Sequence, residues 1–250
     1  MNVQKIEELA LNAWPGLQTY LYDGWVIRLA EGYTKRANSV TPLYEGCGDF
    51  GLEEKVERCE EVYQGLKRPQ PTIFRIPSFV EGAQELDAFL AERGYERLDE
   101  TLVLGMDLED AEFEQSERAY IMPGRDGLNS WLSAYGRLSK SQIGAVHEKI
   151  LGQILGQRCP MEIMVNGEVV ACGLGVYDDG YMGFFDIVTA EAHRRQGYGR
   201  ELMESLLGWG VMKGALYAYI QVVAENRPAV NLYKQLGFEE QNHYWYRMLK

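Results

Sequence analysis

From Tyr181 to Thr189 the chain reads as a β-strand. It then passes through an arginine- and glycine-rich turn, Arg194-Arg195-Gln196-Gly197-Tyr198-Gly199, and continues as an amphipathic helix over residues 200–212 with Leu202, Met203, Leu206 and Leu207 on one side. A strand that feeds a helix through such a turn belongs to a layered protein of mixed α and β structure. The turn is also a local anion trap, because the first amides of a helix lack intrahelical partners and the helix dipole places partial positive charge there. Three arginines and no acid fall between His193 and Arg200, although the whole chain has 25 basic and 37 acidic residues, a formal charge of -12. Gly197 and Gly199 let the backbone approach an oxygen that a Cβ would obstruct. The turn is therefore expected to hold phosphates; the alternative is a plain connection with solvated arginines.

The rest of the back half fits around this element. An acidic stretch over residues 108–117, LEDAEFEQSE, separates two well-patterned segments and reads as a linker, giving domains at 1–110 and 116–250. Beyond it come a short strand at 118–122, a short helix at 131–138 and a longer one at 142–155. Strands at 161–165 and 169–176 flank Asn166-Gly167, the dipeptide of a tight hairpin, and Asp178-Asp179-Gly180 leads into the third strand of the meander. A buried-type strand at 216–223 follows the arginine turn and its helix. A helix opened by Asn226 and Pro228 and stopped by Gly237 comes next, and then a last strand at 243–249. The order from residue 118 is β-α-α-β-β-β-α-β-α-β.

At 250 residues, 46% hydrophobic and 25% charged, the chain can bury a full core and is neither disordered nor low in complexity. Its acidity disfavours nucleic acid and anionic membrane as partners and suits a cationic substrate. Residues 1–14 carry Glu7 and Glu8 inside their apolar run, so they read as neither signal peptide nor anchor, and the expected compartment is the cytoplasm. Cys47, Cys59, Cys159 and Cys172 form no Cys-x-x-Cys and do not cluster with His147, His193 or His243. No metal site or disulfide is expected.

The motif Arg194-x-x-Gly197-x-Gly199, preceded by Asp186-Ile187-Val188-Thr189 and followed by Asn226-x-x-Ala229-x-x-Leu232-Tyr233 and Leu236-Gly237-Phe238, resembles the GNAT superfamily of N-acetyltransferases. The resemblance implies a mixed, mostly antiparallel sheet flanked by helices, and acetyl-CoA as cosubstrate in a V-shaped opening between the third meander strand and the strand at 216–223. It implies that backbone amides of Ile187, Val188 and Thr189 bind the pantetheine arm and polarise the thioester. Arg194, Arg195, Gln196, Gly197, Tyr198, Gly199 and Arg200 would wrap the pyrophosphate, Asn226 would bond the pantetheine arm, and Tyr233 would act as general acid. The chemistry is consistent with this: an oxyanion develops, aimed donors stabilise it, and a phenol helps a thiolate of pKa about 8.5 depart. The alternative for Tyr233 is a tyrosine packed in the core.

An amine acceptor of pKa about 10.4 is protonated at neutral pH and calls for a base or water chain. Some GNAT relatives carry a glutamate five residues before the motif asparagine. Here Gln221 stands at that place, which leaves Asp186 and Glu225 as candidates, each with a bland reading as a strand-end or cap residue.

The front half resembles a damaged copy of the back half. Residues 89–96, FLAERGYE, precede residues 232–239, LYKQLGFE, by 143 positions, an offset that sets Ala83 against Asn226 and Leu90 against Tyr233. Leu43-Tyr44-Glu45-Gly46-Cys47-Gly48 takes the place of the arginine turn after a strand-like run at 33–41, and Glu45 and Asp49 bring charge that opposes a phosphate. Gly46-Cys47-Gly48-Asp49-Phe50-Gly51 also satisfies the dinucleotide pattern G-x-G-x-x-G. That reading fails, because the surroundings resemble hairpins and no acid ends the strand at 71–76. Two tandem GNAT-like domains are expected, the first without its reagents. Lys35, Arg36 and Asn38 could meet an acidic group of the acceptor or simply be solvated. The function that emerges is N-acetyl transfer to a primary amine of a small molecule or peptide by a monomer or homodimer. The alternative is a non-catalytic acyl-CoA-binding sensor or scaffold.

Overall fold

The computed structural model describes residues 1–48, 50–140 and 144–249. Its elements are α1 (Val3–Ala13), β1 (Gln18–Tyr22), β2 (Trp25–Leu29), β3 (Val40–Pro42), α2 (Leu52–Gln64), β4 (Ile73–Pro77), α3 (Ala83–Glu92), β5 (Glu96–Asp107) and β6 (Ala119–Ile121). They continue with α4 (Gly124–Ser139), α5 (Ala145–Gln153), β7 (Gln157–Val165), β8 (Glu168–Asp178), β9 (Tyr181–Thr189), α6 (Tyr198–Met212), β10 (Tyr217–Val223), α7 (Arg227–Gln235) and β11 (Glu239–Met248). From β6 onward the order is the one read from the sequence.

Two helix lengths differ from expectation. α4 is longer than 131–138, starting behind Pro123 and closing on Lys140 in the left-handed region. α5 stops at Gln153 because Ile154 is extended, and Gln142 and Ile143 of the expected helix lie outside the described residues. The expected strand at 33–41 shrinks to β3. Before it the backbone is satisfied by side chains, with Ala30 and Gly32 donating to Asn38 Oδ1 and Ala37 donating to Thr34 Oγ1. Asn38 is therefore buried and committed to its own loop, and Lys35 pairs with Asp99 at 2.6 Å.

The chain divides into two compact units that do not follow a single cut near residue 110. The first comprises Met1–Ala13, Val103–Val222 and Asn226–Gln241; the second comprises Trp14–Leu102, Val223–Glu225 and Asn242–Lys250. Two elements account for the difference. α1 buries Ile6, Leu9, Ala10 and Ala13 in the first unit, where Lys5 pairs with Asp179 at the β8–β9 turn. The end of β11 pairs with β4 in the second, Tyr244 against Pro77 through Met248 against Ile73. In return, the end of β5 supplies a strand beside β10. The two halves have exchanged the ends of their last strands.

In the first unit the strand order is β5-β10-β9-β8-β7-β6, antiparallel from β6 through β9 and parallel between β9 and β10. Asn166-Gly167 and Asp179-Gly180 make the expected tight hairpins with both residues at positive φ. Leu202, Met203, Leu206 and Leu207 of α6 are fully buried, as their spacing predicts, each worth about 1.5–3 kcal/mol of burial. In the second unit the order is β1-β2-β3-β4-β11. Trp25, Ile27, Val40, Phe74, Ile76 and Trp245 from its strands pack with Val56, Cys59 and Tyr63 of α2 and Leu86 and Leu90 of α3. The two helix ends that lie 143 positions apart in sequence close alike. Tyr95 N–H donates to Leu90 O at 2.9 Å past Gly94, and Phe238 N–H donates to Tyr233 O at 3.0 Å past Gly237, both glycines at positive φ.

Candidate active site

β9 and β10 run side by side from the Tyr181–Tyr217 pair to the Phe184–Ile220 pair, and both strands extend past the end of that ladder. On its other edge β9 pairs with β8, and there the register slips. Leu174 faces Phe185 and Cys172 faces Val188, so Asp186 and Ile187 together stand opposite the single residue Gly173. This is a β-bulge, which takes one residue out of the ladder and bends the strand. Asp186 adopts φ +52°, and a Cβ on Gly173 would lie 2.4 Å from Ile187 Cδ1, so glycine there makes room for the kink. The bulge was not legible as such in the sequence. It puts Ile187, Val188 and Thr189, all half-buried, on the stretch of β9 beyond the shared ladder.

Past Thr189 a short 3-10 turn, Glu191–His193, brings the chain to Arg194. Arg195 and Gly197 both take positive φ, +59° and +88°, and Gly197 caps α6 without a side-chain bond. The first helical bond is Glu201 N–H to Gly197 O, so the amides of Tyr198, Gly199 and Arg200 precede it. Arg194, Arg195, Gln196 and Gly197 are exposed. A Cβ on Gly197 would meet nothing within 4 Å, whereas one on Gly199 would stand 3.2 Å from Thr189 Oγ1 and 3.5 Å from Leu232 Cδ2. Gly199 thus lets the strand end, the helix start and α7 meet. Arg200 is engaged by its own surroundings, Glu204 at 2.9 Å and the carbonyl of Gln235 at 3.3 Å, and Arg194 Nε reaches Thr189 O at 3.4 Å. Arg118, which sequence reading passed over, grips Glu201 with two nitrogens at 2.9 and 2.7 Å and lies 5.5 Å from the Tyr198 ring. It neutralises the one acid in the first turn of α6.

Asn226 caps α7, its Oδ1 accepting from Ala229 N at 3.4 Å, and is exposed. Two turns on, Tyr233 is 5% exposed and packs against Phe238 at 6.2 Å between ring centroids. Burial pushes its phenol above the ordinary tyrosine value, which keeps the proton in place at neutral pH. The two candidate bases have different settings. Glu225 is exposed in the loop after β10 and belongs to the second unit. Asp186 is mostly shielded, its Oδ2 2.9 Å from Nε2 of the buried His147 on α5. A groove of about 490 Å³ runs beside α4 and α5, lined among others by Asn129, Ser133, Arg137, Ala145 and Glu148.

The family model described as the probable histone acetyltransferase Rv0428c C-terminal matches residues 1–247 of the chain. The uncharacterized N-acetyltransferase YobR of Bacillus subtilis is 30% identical over 99% of this chain and 98% of its own length. The chain belongs to that acetyltransferase family. The probable histone acetyltransferase Rv0428c of Mycobacterium tuberculosis is 27% identical over 96% of this chain and 72% of its own length. A GCN5-related N-acetyltransferase from Kribbella flavida superposes with a TM-score of 0.71 at 15% identity, covering 99% of this chain and 96% of that one. The protein is thus an acyltransferase of the GNAT superfamily, and its mixed, mostly antiparallel sheet flanked by helices is the GNAT fold.

In this GNAT enzyme the front-half turn is filled by a carboxylate of the chain itself. Gly48 N–H donates to Asp23 Oδ1 at 2.9 Å, the amide of Cys47 also bonds that carboxylate, and Lys55 Nζ lies 3.0 Å from Oδ2. The Gly48 bond and then Lys55 hold Asp23 below the usual carboxylate range. A Cβ on Gly46 would fall 2.0 Å from Asp23 Oδ2, so the carboxylate fills the hollow of the turn. The anion at this turn is the chain's own. Asp49, the second acid expected to oppose a phosphate there, lies outside the described residues. Among the described residues no group of three or more His, Cys, Asp or Glu could hold a metal, and no helix is long and apolar enough to cross a membrane.

Proposed function

We propose that the enzyme transfers the acetyl group of acetyl-CoA to a primary amine of a small molecule or peptide, by direct attack with both substrates bound. The observation that carries this reading is the juxtaposition on one strand-turn-helix element of the β9 bulge and the Gly197-capped start of α6. A coenzyme with a diphosphate and an amide-bearing arm needs both kinds of backbone donor, and the space above Gly197 is clear of side chains. Acetyl-CoA supplies the thioester. Amides over residues 195–200, with Arg194, Arg195 and Gln196 at the rim, hold the diphosphate; Ile187, Val188 and Thr189 bind the arm and face the oxygen on which negative charge develops. Asn226 supports the arm while capping α7. Tyr233 keeps its proton through burial and gives it to the departing thiolate. Asp186 or Glu225 takes the proton of the acceptor.

The acceptor occupies the groove beside α4 and α5, where Arg137 and Glu148 offer both signs of charge to an amine that carries a carboxylate or peptide group. The enzyme works in the cytoplasm as a monomer or homodimer, without nucleic acid or membrane as partner. Titration calorimetry with acetyl-CoA, followed by thiol release over a panel of amines and peptides, tests the reading. Micromolar binding and acceptor-dependent release are expected. Binding without release across the panel would make the protein a coenzyme sensor, and absence of binding would overturn the proposal.

A further inference from the structure

His147 is completely buried, at 0% exposure, yet it is an ionisable side chain on a short helix. Its Nε2 lies 2.9 Å from Oδ2 of Asp186, a close contact whose angles fall short of a hydrogen bond, and both atoms are closed to solvent. The Asp186 carboxylate is not wholly enclosed, its side chain being 12% accessible. Asp186 is also one of the two β9 residues that share the bulge, held at positive φ, so its side chain leaves the strand in a direction that the regular ladder would not give. The imidazole in turn is fixed from α4. The ring of Tyr135 meets it edge-on at 5.6 Å, Tyr135 stacks on Trp131 at 5.6 Å and 6°, and Trp131 Nε1 donates to the carbonyl of Met161. A column of rings thus runs from α4 to the imidazole that meets the bulge carboxylate.

We infer that His147 is a positioning residue that orients the Asp186 carboxylate as the proton acceptor for the amine substrate. This rests on the acetyltransferase reading above and chooses between its two candidate bases. A carboxylate on a kinked strand has two soft torsions, and a donor fixed on one oxygen leaves the other turned toward the open side. A small turn of the imidazole lets Nε2–H donate to Oδ2, and Oδ1 takes the proton of the ammonium group. The freed amine lone pair forms the new C–N bond as the C–S bond breaks, the second proton shed by the nitrogen replaces the one that Tyr233 gives to the departing thiolate, and the proton on Oδ1 passes to solvent after turnover. Glu225, exposed and outside this column, has no comparable support.

The test compares two substitutions of similar polarity and different reach. The amide nitrogen of His147→Gln falls near the place of Nε2, while that of His147→Asn stops near the place of Nδ1. With acetyl-CoA affinity by calorimetry and thermal midpoint measured beside kcat, His147→Gln is expected to keep kcat within about threefold of the parent. His147→Asn and Asp186→Asn are each expected to lose about tenfold or more, with coenzyme Kd unchanged in all three. Equal kcat for the two His147 variants, or parallel loss of kcat and coenzyme affinity, would overturn the positioning role. Should Asp186→Asn keep full activity while Glu225→Gln loses it, the assignment of the base is wrong and the acetyltransferase reading stands. Loss of acetyl-CoA binding or acceptor-dependent thiol release by the parent protein would instead remove that reading itself.

Discussion

Tyr233 and Asn226 stand at opposite ends of one helix, and their surroundings assign them unlike tasks. Asn226 is exposed and already accepts a backbone bond, so its amide nitrogen is the part left for a ligand. Tyr233 is buried, and in the proposed reaction its hydroxyl serves as the proton source. Tyr233→Phe is expected to lower kcat by about 10- to 100-fold while changing coenzyme Kd less than threefold, and equal loss in both would argue against a general acid. Because burial raises the phenol above the ordinary value of about 10, the alkaline limb of the rate profile below that pH belongs to another group. The cysteines give a second check at this scale. Burial pushes the Cys59 and Cys159 thiols up to about 12 and raises Cys172 as well, whereas Cys47 is exposed. Native protein at pH 8 should therefore react with one equivalent of a thiol reagent at short times and with four after denaturation. A second fast equivalent would contradict the burial of the other three.

At the level of elements, what the sequence disclosed and what it hid follow a physical division. Hairpin turns were legible because Asn166-Gly167 and Asp179-Gly180 demand positive φ, a local property of two residues. The face of α6 was legible because its period lies in its own sequence. The bulge at Asp186 and Ile187 was not, since it depends on which residue of β8 stands opposite, and only the glycine at 173 hints at it. His147 was hidden for the same reason, as its partner is 39 residues away on another element. The arginine turn announced itself by composition, yet Arg200 proves to be committed to Glu204 and Gln235. The amides of the turn, rather than its guanidinium groups, therefore carry most of the expected binding. Gly197→Glu, which adds bulk and negative charge over those amides, should weaken acetyl-CoA binding at least tenfold, by about 1.4 kcal/mol or more. Unchanged affinity would place the diphosphate elsewhere. In the front half the corresponding turn already holds Asp23, so calorimetry should return one coenzyme per chain and not two.

The whole molecule is less divisible than its acidic linker suggests. Cutting at 116 to isolate the back half would remove α1 and β5, leaving β10 without its outer neighbour and the groove for Ile6, Leu9 and Ala10 uncovered. The fragment 116–250 is expected to show no cooperative melt and to bind acetyl-CoA far more weakly than the full chain; a cooperative melt with full binding would show that the exchanged strand is dispensable. The complementary tie is Asp87 on α3, which takes two bonds from Arg247 at 2.8 and 2.7 Å and a third from Trp245. Burial opposes ionisation of Asp87, but these bonds outweigh it and hold the carboxyl below its usual range. The stability it lends is present above the unfolded value of about 3.9 and fades as acid protonates it below that. Asp87→Asn should flatten that part of the acid unfolding curve, with β11 amides exchanging hydrogen faster.

The traded strand also sets a timetable for synthesis. Residues 14–102 leave the ribosome well before the strand end that completes their sheet, residues 242–248. The earlier-made unit must wait with Phe74 and Ile76 short of Trp245 until residues 242–248 are made. Nascent chains stalled after residue 240 should therefore be cut by protease within the front unit, and extension through Met248 should seal it.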